Sequence, residues 1–140
     1  MNFVRLPDWS ARLSAVVDEV AGRPFSWEAG WVCVHWVDLA VERMTGVPDA
    51  LGLYRDGFWS EQEAWAMLAA HDGSLRAACR RVFGTERVGP FARRGDVAML
   101  RGRRSIGICL GATAAFVGEA GLERVPMAEC PAAFPLGWPG

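Results

Sequence analysis

The chain has 140 residues, 51% of them hydrophobic, with seven Trp and seven Phe. That is enough for one domain with its own core and no disulfide or metal staple. Its net charge is −1 and all 15 of its cations are Arg, which excludes bulk nucleic-acid binding, since that needs a surplus of cations. No window approaches the roughly 18 apolar residues of a membrane span, and the opening Met1 to Pro7 is neither basic nor apolar enough for a secretory leader.

In chain order, Trp9, Leu13, Val16, Val17 and Val20 recur at helical spacing before Gly22, predicting a first helix with Asp8 as its N-cap. Residues 22–30 are turn-rich yet hold Phe25 and Trp27, aromatics that pack onto the domain or line a groove. A second helix is expected from Trp31 to Thr45, stopped by Gly46. Its residues are apolar nearly all round, which predicts a central, buried helix. Residues 47–58 read as irregular. Ser60 and Glu63 form a capping box that opens a third helix, ending near Gly73. Ser74 starts a fourth, closed by Gly84.

The chain then changes character. Short apolar runs at 96–100, 105–110, 114–117 and 122–125 are separated by Gly-containing turns, which predicts an antiparallel meander. Helices first and strands second predict an α+β fold, with helices on one face of the sheet. Residues 1–130 are expected to form the single domain, and 131–140, with three Pro and two Gly, an irregular tail.

The four cysteines, Cys33, Cys79, Cys109 and Cys130, show no Cys-x-x-Cys pair and no Cys/His cluster. No metal and no cofactor are expected, and all four read as reduced thiols. Cys33 lies in the first turn of the second helix. A helix N-terminus lowers a thiol's pKa, so Cys33 is a candidate nucleophile; the residues alone favour the plainer reading, a small apolar residue of a hydrophobic helix.

Pro24-Phe25-Ser26-Trp27, Cys33 opening a helix, Arg94-Gly95-Asp96-Val97 opening a strand and Ser105-Ile106-Gly107-Ile108 together resemble the NlpC family of papain-like cysteine peptidases, which cut bacterial cell-wall peptides. Leu6 to Trp9, Pro24 to Trp27, Met44 to Gly46, Gly95 to Val97 and Gly121 to Pro126 are similar to a set of phage and prophage proteins of this length. The first resemblance implies a papain-like α+β fold with N-terminal helices packed on a small C-terminal sheet. The second implies a component of the phage tail tip or hub, made in the bacterial host cytoplasm and carried in the virion. Its partners would be tail-hub or tail-tip proteins, with peptidoglycan a further candidate and neither membrane nor nucleic acid expected.

Carried over residue by residue, Cys33 matches the family's nucleophile. Val32 stands where that family has an acid, and Ser105 where it has the catalytic His. His35 lies about 200° round the helix from Cys33 and points away, and His71 falls at a helix end. Without a base, a cysteine nucleophile loses roughly two to four orders of magnitude in rate, so Cys33 is expected to be vestigial and the domain to be structural. The rival reading is an active tail-tip endopeptidase with another base; a third is an assembly chaperone. Trp27, Trp59, Arg103, Arg104 and Trp138 are the candidate interface residues. The arginines bracket a hairpin, a place for a protein interface rather than DNA, and Trp138 with Phe134 would let the tail strap a neighbouring surface.

Overall fold

The computed structural model describes residues 3–55, 60–102 and 105–137. Among the described residues five α-helices come first: α1 (Trp9–Val20), α2 (Cys33–Thr45), α3 (Gly52–Arg55), α4 (Glu61–His71) and α5 (Leu75–Phe83). Six strands follow: β1 (Arg87–Val88), β2 (Val97–Met99), β3 (Ile106–Cys109), β4 (Thr113–Gly118), β5 (Gly121–Pro126) and β6 (Ala132–Phe134). They form one antiparallel sheet in the order β1-β6-β2-β3-β4-β5. The expected α+β order and the β2-to-β5 meander are both present.

Alternation along the strands explains the layering. Val97, Ile106, Ile108, Ala115 and Phe134 join the main core with the helices. The intervening Ala98, Ala114 and Phe116 form a smaller cluster with Leu100 and Cys130 on the other face. The middle of α2 packs on the sheet. Trp36, Val37, Ala40, Val41 and Met44 are fully buried, the valines and methionine contributing roughly 1.5–3 kcal/mol each. The Trp36 indole N–H donates to the Ala115 carbonyl at 2.9 Å, so its polar edge is satisfied in the interior.

α2 begins at Cys33, two residues later than periodicity predicts. Trp31 instead exchanges backbone hydrogen bonds with Ser26, at 2.9 and 3.0 Å, closing the loop between them. Val32 then takes the extended N-cap conformation. At the first helix, Asp8 makes no cap bond; its carboxylate accepts from Arg12 Nε at 2.8 Å. Ser60 and Ser74 do cap α4 and α5, accepting the N–H groups of Glu63 and Ala77 at 3.2 and 3.0 Å.

The segment expected to be an irregular tail is regular in part. Ala132 to Phe134 pair with β1 on one side and β2 on the other. Pro131 and Pro135 flank this strand without entering it, so no ladder N–H is lost, and its side chains are buried. Leu136 N–H extends the attachment by donating to Asp96 Oδ1 at 3.1 Å.

Candidate functional site

The start of α2, the 25–27 loop, α4 and the residue before β3 enclose a groove of about 590 Å³. Cys33 and Ser105 lie together in its wall. The Ser105 hydroxyl and the Ile106 N–H are turned toward the Cys33 sulfur, as are the N–H groups of α2's first turn. All of these favour a thiolate, yet burial outweighs them and pushes the Cys33 thiol up. The helix end therefore does not produce an ionised nucleophile near neutral pH.

Neither histidine supplies a base. His35 Nδ1 accepts the Val32 N–H at 3.2 Å, and its Nε2 lies 2.6 Å from the Arg55 carbonyl. A carbonyl only accepts, so Nε2 carries the proton. The ring thus caps α2, whose N-cap valine has no oxygen to do so, and ties α3 to it. His71 ends α4 as an exposed side chain and is not among the residues lining the groove. The position beside the sulfur belongs to Ser105, whose hydroxyl cannot take up a proton near neutral pH.

The Arg94-Gly95-Asp96 run serves the framework. Asp96 is wholly buried and accepts from Arg5 Nη2 at 2.9 Å, Arg93 N–H at 2.9 Å and Leu136 N–H at 3.1 Å. Arg5 also donates to the Leu136 and Arg94 carbonyls, at 2.5 and 2.6 Å. Burial takes the Arg5 guanidinium down to about 10, with Asp96 acting in the opposite sense. Gly95 has φ +92°, and a Cβ there would stand 2.3 Å from Arg5 Nη1. The motif therefore needs glycine both for its backbone conformation and for space.

Of the expected interface residues, Trp27 lines the groove, its ring edge-on to Phe25 with centroids 5.3 Å apart. Trp59, Arg103, Arg104 and Trp138 lie outside the described residues. The sequence reading passed over Tyr54, Glu61 and Trp65, which also line the groove. Trp65 Nε1 donates to Glu61 Oε1 at 3.1 Å. Their i, i+4 spacing at the start of a capped helix was the available signal. Tyr54, on a helix of four residues that no periodicity reveals, donates its hydroxyl to Asp72, which Arg81 holds at 2.7 and 3.0 Å. Burial, then Asp72, pushes the Tyr54 phenol up to about 12.

All four cysteines are free, and burial raises each thiol. Among the described residues no three His, Cys, Asp or Glu side chains come together as a metal site.

No curated protein matches this chain. Among solved structures, it is similar to RipD from Mycobacterium tuberculosis, described as "a non-catalytic NlpC/p60 domain protein, adaptation to peptidoglycan-binding function". That similarity has a TM-score of 0.49 and 21% identity, over 93% of this chain and 98% of that one. The model of a family described as "Domain of unknown function (DUF6950)" matches residues 4–136, and the chain therefore belongs to the DUF6950 family.

Proposed function

We propose that this protein is a non-catalytic NlpC-like domain that serves as a structural, partner-binding component of a phage tail tip or hub. The observation that carries the non-catalytic reading is Ser105 beside the Cys33 sulfur, with both histidines accounted for elsewhere. A thiol raised by burial and lacking a base has no route to the thiolate–imidazolium pair that a cysteine peptidase uses. What remains is an aromatic-walled groove suited to binding. The tail-tip setting is supported by the sequence likeness at Leu6 to Trp9, Pro24 to Trp27 and Gly121 to Pro126.

Two measurements test this reading. Incubation of purified protein with bacterial cell walls should release no muropeptides, and Cys33→Ala should be indistinguishable from wild type. Mass spectrometry of purified phage particles should find the chain among the tail proteins. Cys33-dependent cell-wall digestion would overturn the reading in favour of an endopeptidase. Absence from the particle would remove the structural role and favour an assembly chaperone.

A further inference from the structure

Positive charge is concentrated on α5 and the turn after it. From Gly73 to Arg87 there are four arginines and one acid, Glu86, in a chain whose net charge is −1. Arg76 and Arg80 stand one turn apart on the same side of α5. Arg76 Nε donates to both Glu86 oxygens, at 2.9 and 3.0 Å, and Arg80 Nη2 donates to the same Oε1. Arg81, further round the helix, is held by Asp72. The acids lie beneath the cations. The side chains of Arg76, Arg80 and Arg81 are 55%, 56% and 52% exposed, against 14% for Glu86 and 9% for Asp72. What solvent meets is guanidinium.

Helix stability does not account for the Arg76–Arg80 pair. Arg80 complements the negative end of α5, but Arg76 lies in the first turn, where a cation is disfavoured, and like charges four residues apart repel. One carboxylate for two guanidiniums also leaves the network incomplete. Arg76 Nη1, Arg80 Nε and Arg80 Nη1 make no hydrogen bond among the described residues. A second carboxylate, brought from outside, would supply the missing acceptors and the missing charge. Glu86 already holds both side chains in place, which lowers the ordering cost of such a contact. Two observations favour a protein over a nucleic acid as its source. Val88, two residues beyond Glu86, and Phe91 are exposed apolar side chains, which suit a protein interface with arginine beside them. The acids beneath the arginines cancel part of the charge that phosphate binding needs.

We propose that the outer face of α5, centred on Arg76 and Arg80, docks an acidic segment of a partner protein, one of whose carboxylates completes the pairing begun by Glu86 while an apolar neighbour covers Val88. The inference rests on the reading of this domain as a partner-binding component and names the chemistry of one partner surface.

The full chain can be titrated calorimetrically with the acetylated, amidated decapeptide (Glu-Leu-Glu-Glu-Val)2, its glutamine twin (Gln-Leu-Gln-Gln-Val)2 and decathymidylate. In low salt the glutamate peptide should bind roughly 3- to 30-fold more tightly than its twin, and the ratio should fall toward one at about 0.5 M salt. Arg76→Gln with Arg80→Gln should bring the low-salt ratio close to one. Arg76→Lys with Arg80→Lys keeps the charge but not the planar fork, and should lower the ratio while retaining part of it; this pair keeps the test readable if the glutamine pair unfolds in a thermal melt. Arg12→Gln with Arg43→Gln removes two exposed cations of other helices and should leave the ratio unchanged. Equal binding of the two peptides overturns the proposal, as does no binding of either at millimolar concentration. So does an undiminished preference in both Arg76/Arg80 variants, or an equal loss in the Arg12/Arg43 variant. Tighter binding of decathymidylate than of the glutamate peptide overturns the assignment to a protein partner. Each of these results strikes this surface alone, whereas Cys33-dependent digestion of cell walls strikes the partner-binding reading beneath it and leaves the titrations as they were.

Discussion

Arg5 Nη2 lies 2.9 Å from Asp96 Oδ1, both side chains being almost fully buried, at 5% and 0% exposure. The pair joins the start of the chain to the strand at the centre of the sheet. Removing one partner of a buried pair leaves the other charge unmatched, so Asp96→Ala should lower stability by about 3–5 kcal/mol. Adding Arg5→Met should recover a large part of that loss. Chemical denaturation of the two variants checks this, and a loss below about 1 kcal/mol in the single variant would show the pair to be dispensable.

Cys33 should behave as a protected thiol. Its raised pKa, set by burial, predicts that iodoacetamide alkylation at pH 6–7 runs slower than for a free cysteine, and that the rate climbs only above the ordinary thiol range. Peptide mapping by mass spectrometry reads the rate at Cys33 separately from the other three thiols. Fast modification at pH 6 would contradict the arrangement described.

Ser105→His offers a gain-of-reactivity test. An imidazolium beside the sulfur would favour the thiolate, and a neighbouring opposite charge shifts a pKa by roughly 1–3 units. Alkylation of Cys33 at pH 6–7 should therefore rise by about tenfold or more. An unchanged rate would mean that position 105 does not govern the sulfur.

Asp38 is buried in the middle of α2, and neither carboxylate oxygen makes a well-formed hydrogen bond among the described residues, although the backbone N–H groups of Leu51 and Ala50 favour its charged form. Arg55 stands 4.0 Å away and is closer to Asp49, at 2.5 Å. Burial raises the Asp38 pKa, with Arg55 opposing it. A carboxyl whose pKa is higher in the folded than in the unfolded state binds its proton more tightly when folded. Stability is then lost as pH rises from the ordinary carboxylate range through the folded value. Asp38→Asn should accordingly be more stable than wild type at pH 7, by roughly 1–3 kcal/mol. The gain should fade below about pH 4, where the unfolded carboxyl is protonated too. Thermal melts across pH 3–8 measure the difference.

His35→Ala removes the acceptor for the Val32 N–H and the tether to the Arg55 carbonyl. Loss of a helix cap costs about 0.5–2 kcal/mol, so a destabilisation of that order is expected, together with faster amide exchange in α3. Exchange confined to the end of α2 would show that the Arg55 contact contributes nothing.

Much of the fold was legible because local chemistry announces it. The Ser60 and Ser74 caps, the period of α1 and the glycine-separated runs of β2 to β5 each carry their own signal over a few residues. β1, β6 and α3 were missed because each is too short for a period to show. β6 exists because its neighbours β1 and β2 offer ladder partners, a condition set by residues about 35–45 positions away.

The candidate site divides along the same line. The sequence alone determined that Cys33 opens a hydrophobic helix, that Ser105 directly precedes the Ile106-Gly107-Ile108 strand run, and that only two histidines were available as a base. Tertiary structure decided the chemistry. It enclosed the Cys33 thiol until desolvation outweighed the helix end, committed His35 to a cap and a tether, and brought Trp27 from the loop and the Glu61–Trp65 pair from α4 into one groove. Residue types and spacings fix which groups a chain can offer. Burial and partner choice depend on contacts between distant segments, and these set whether such a group ionises, reacts or only binds.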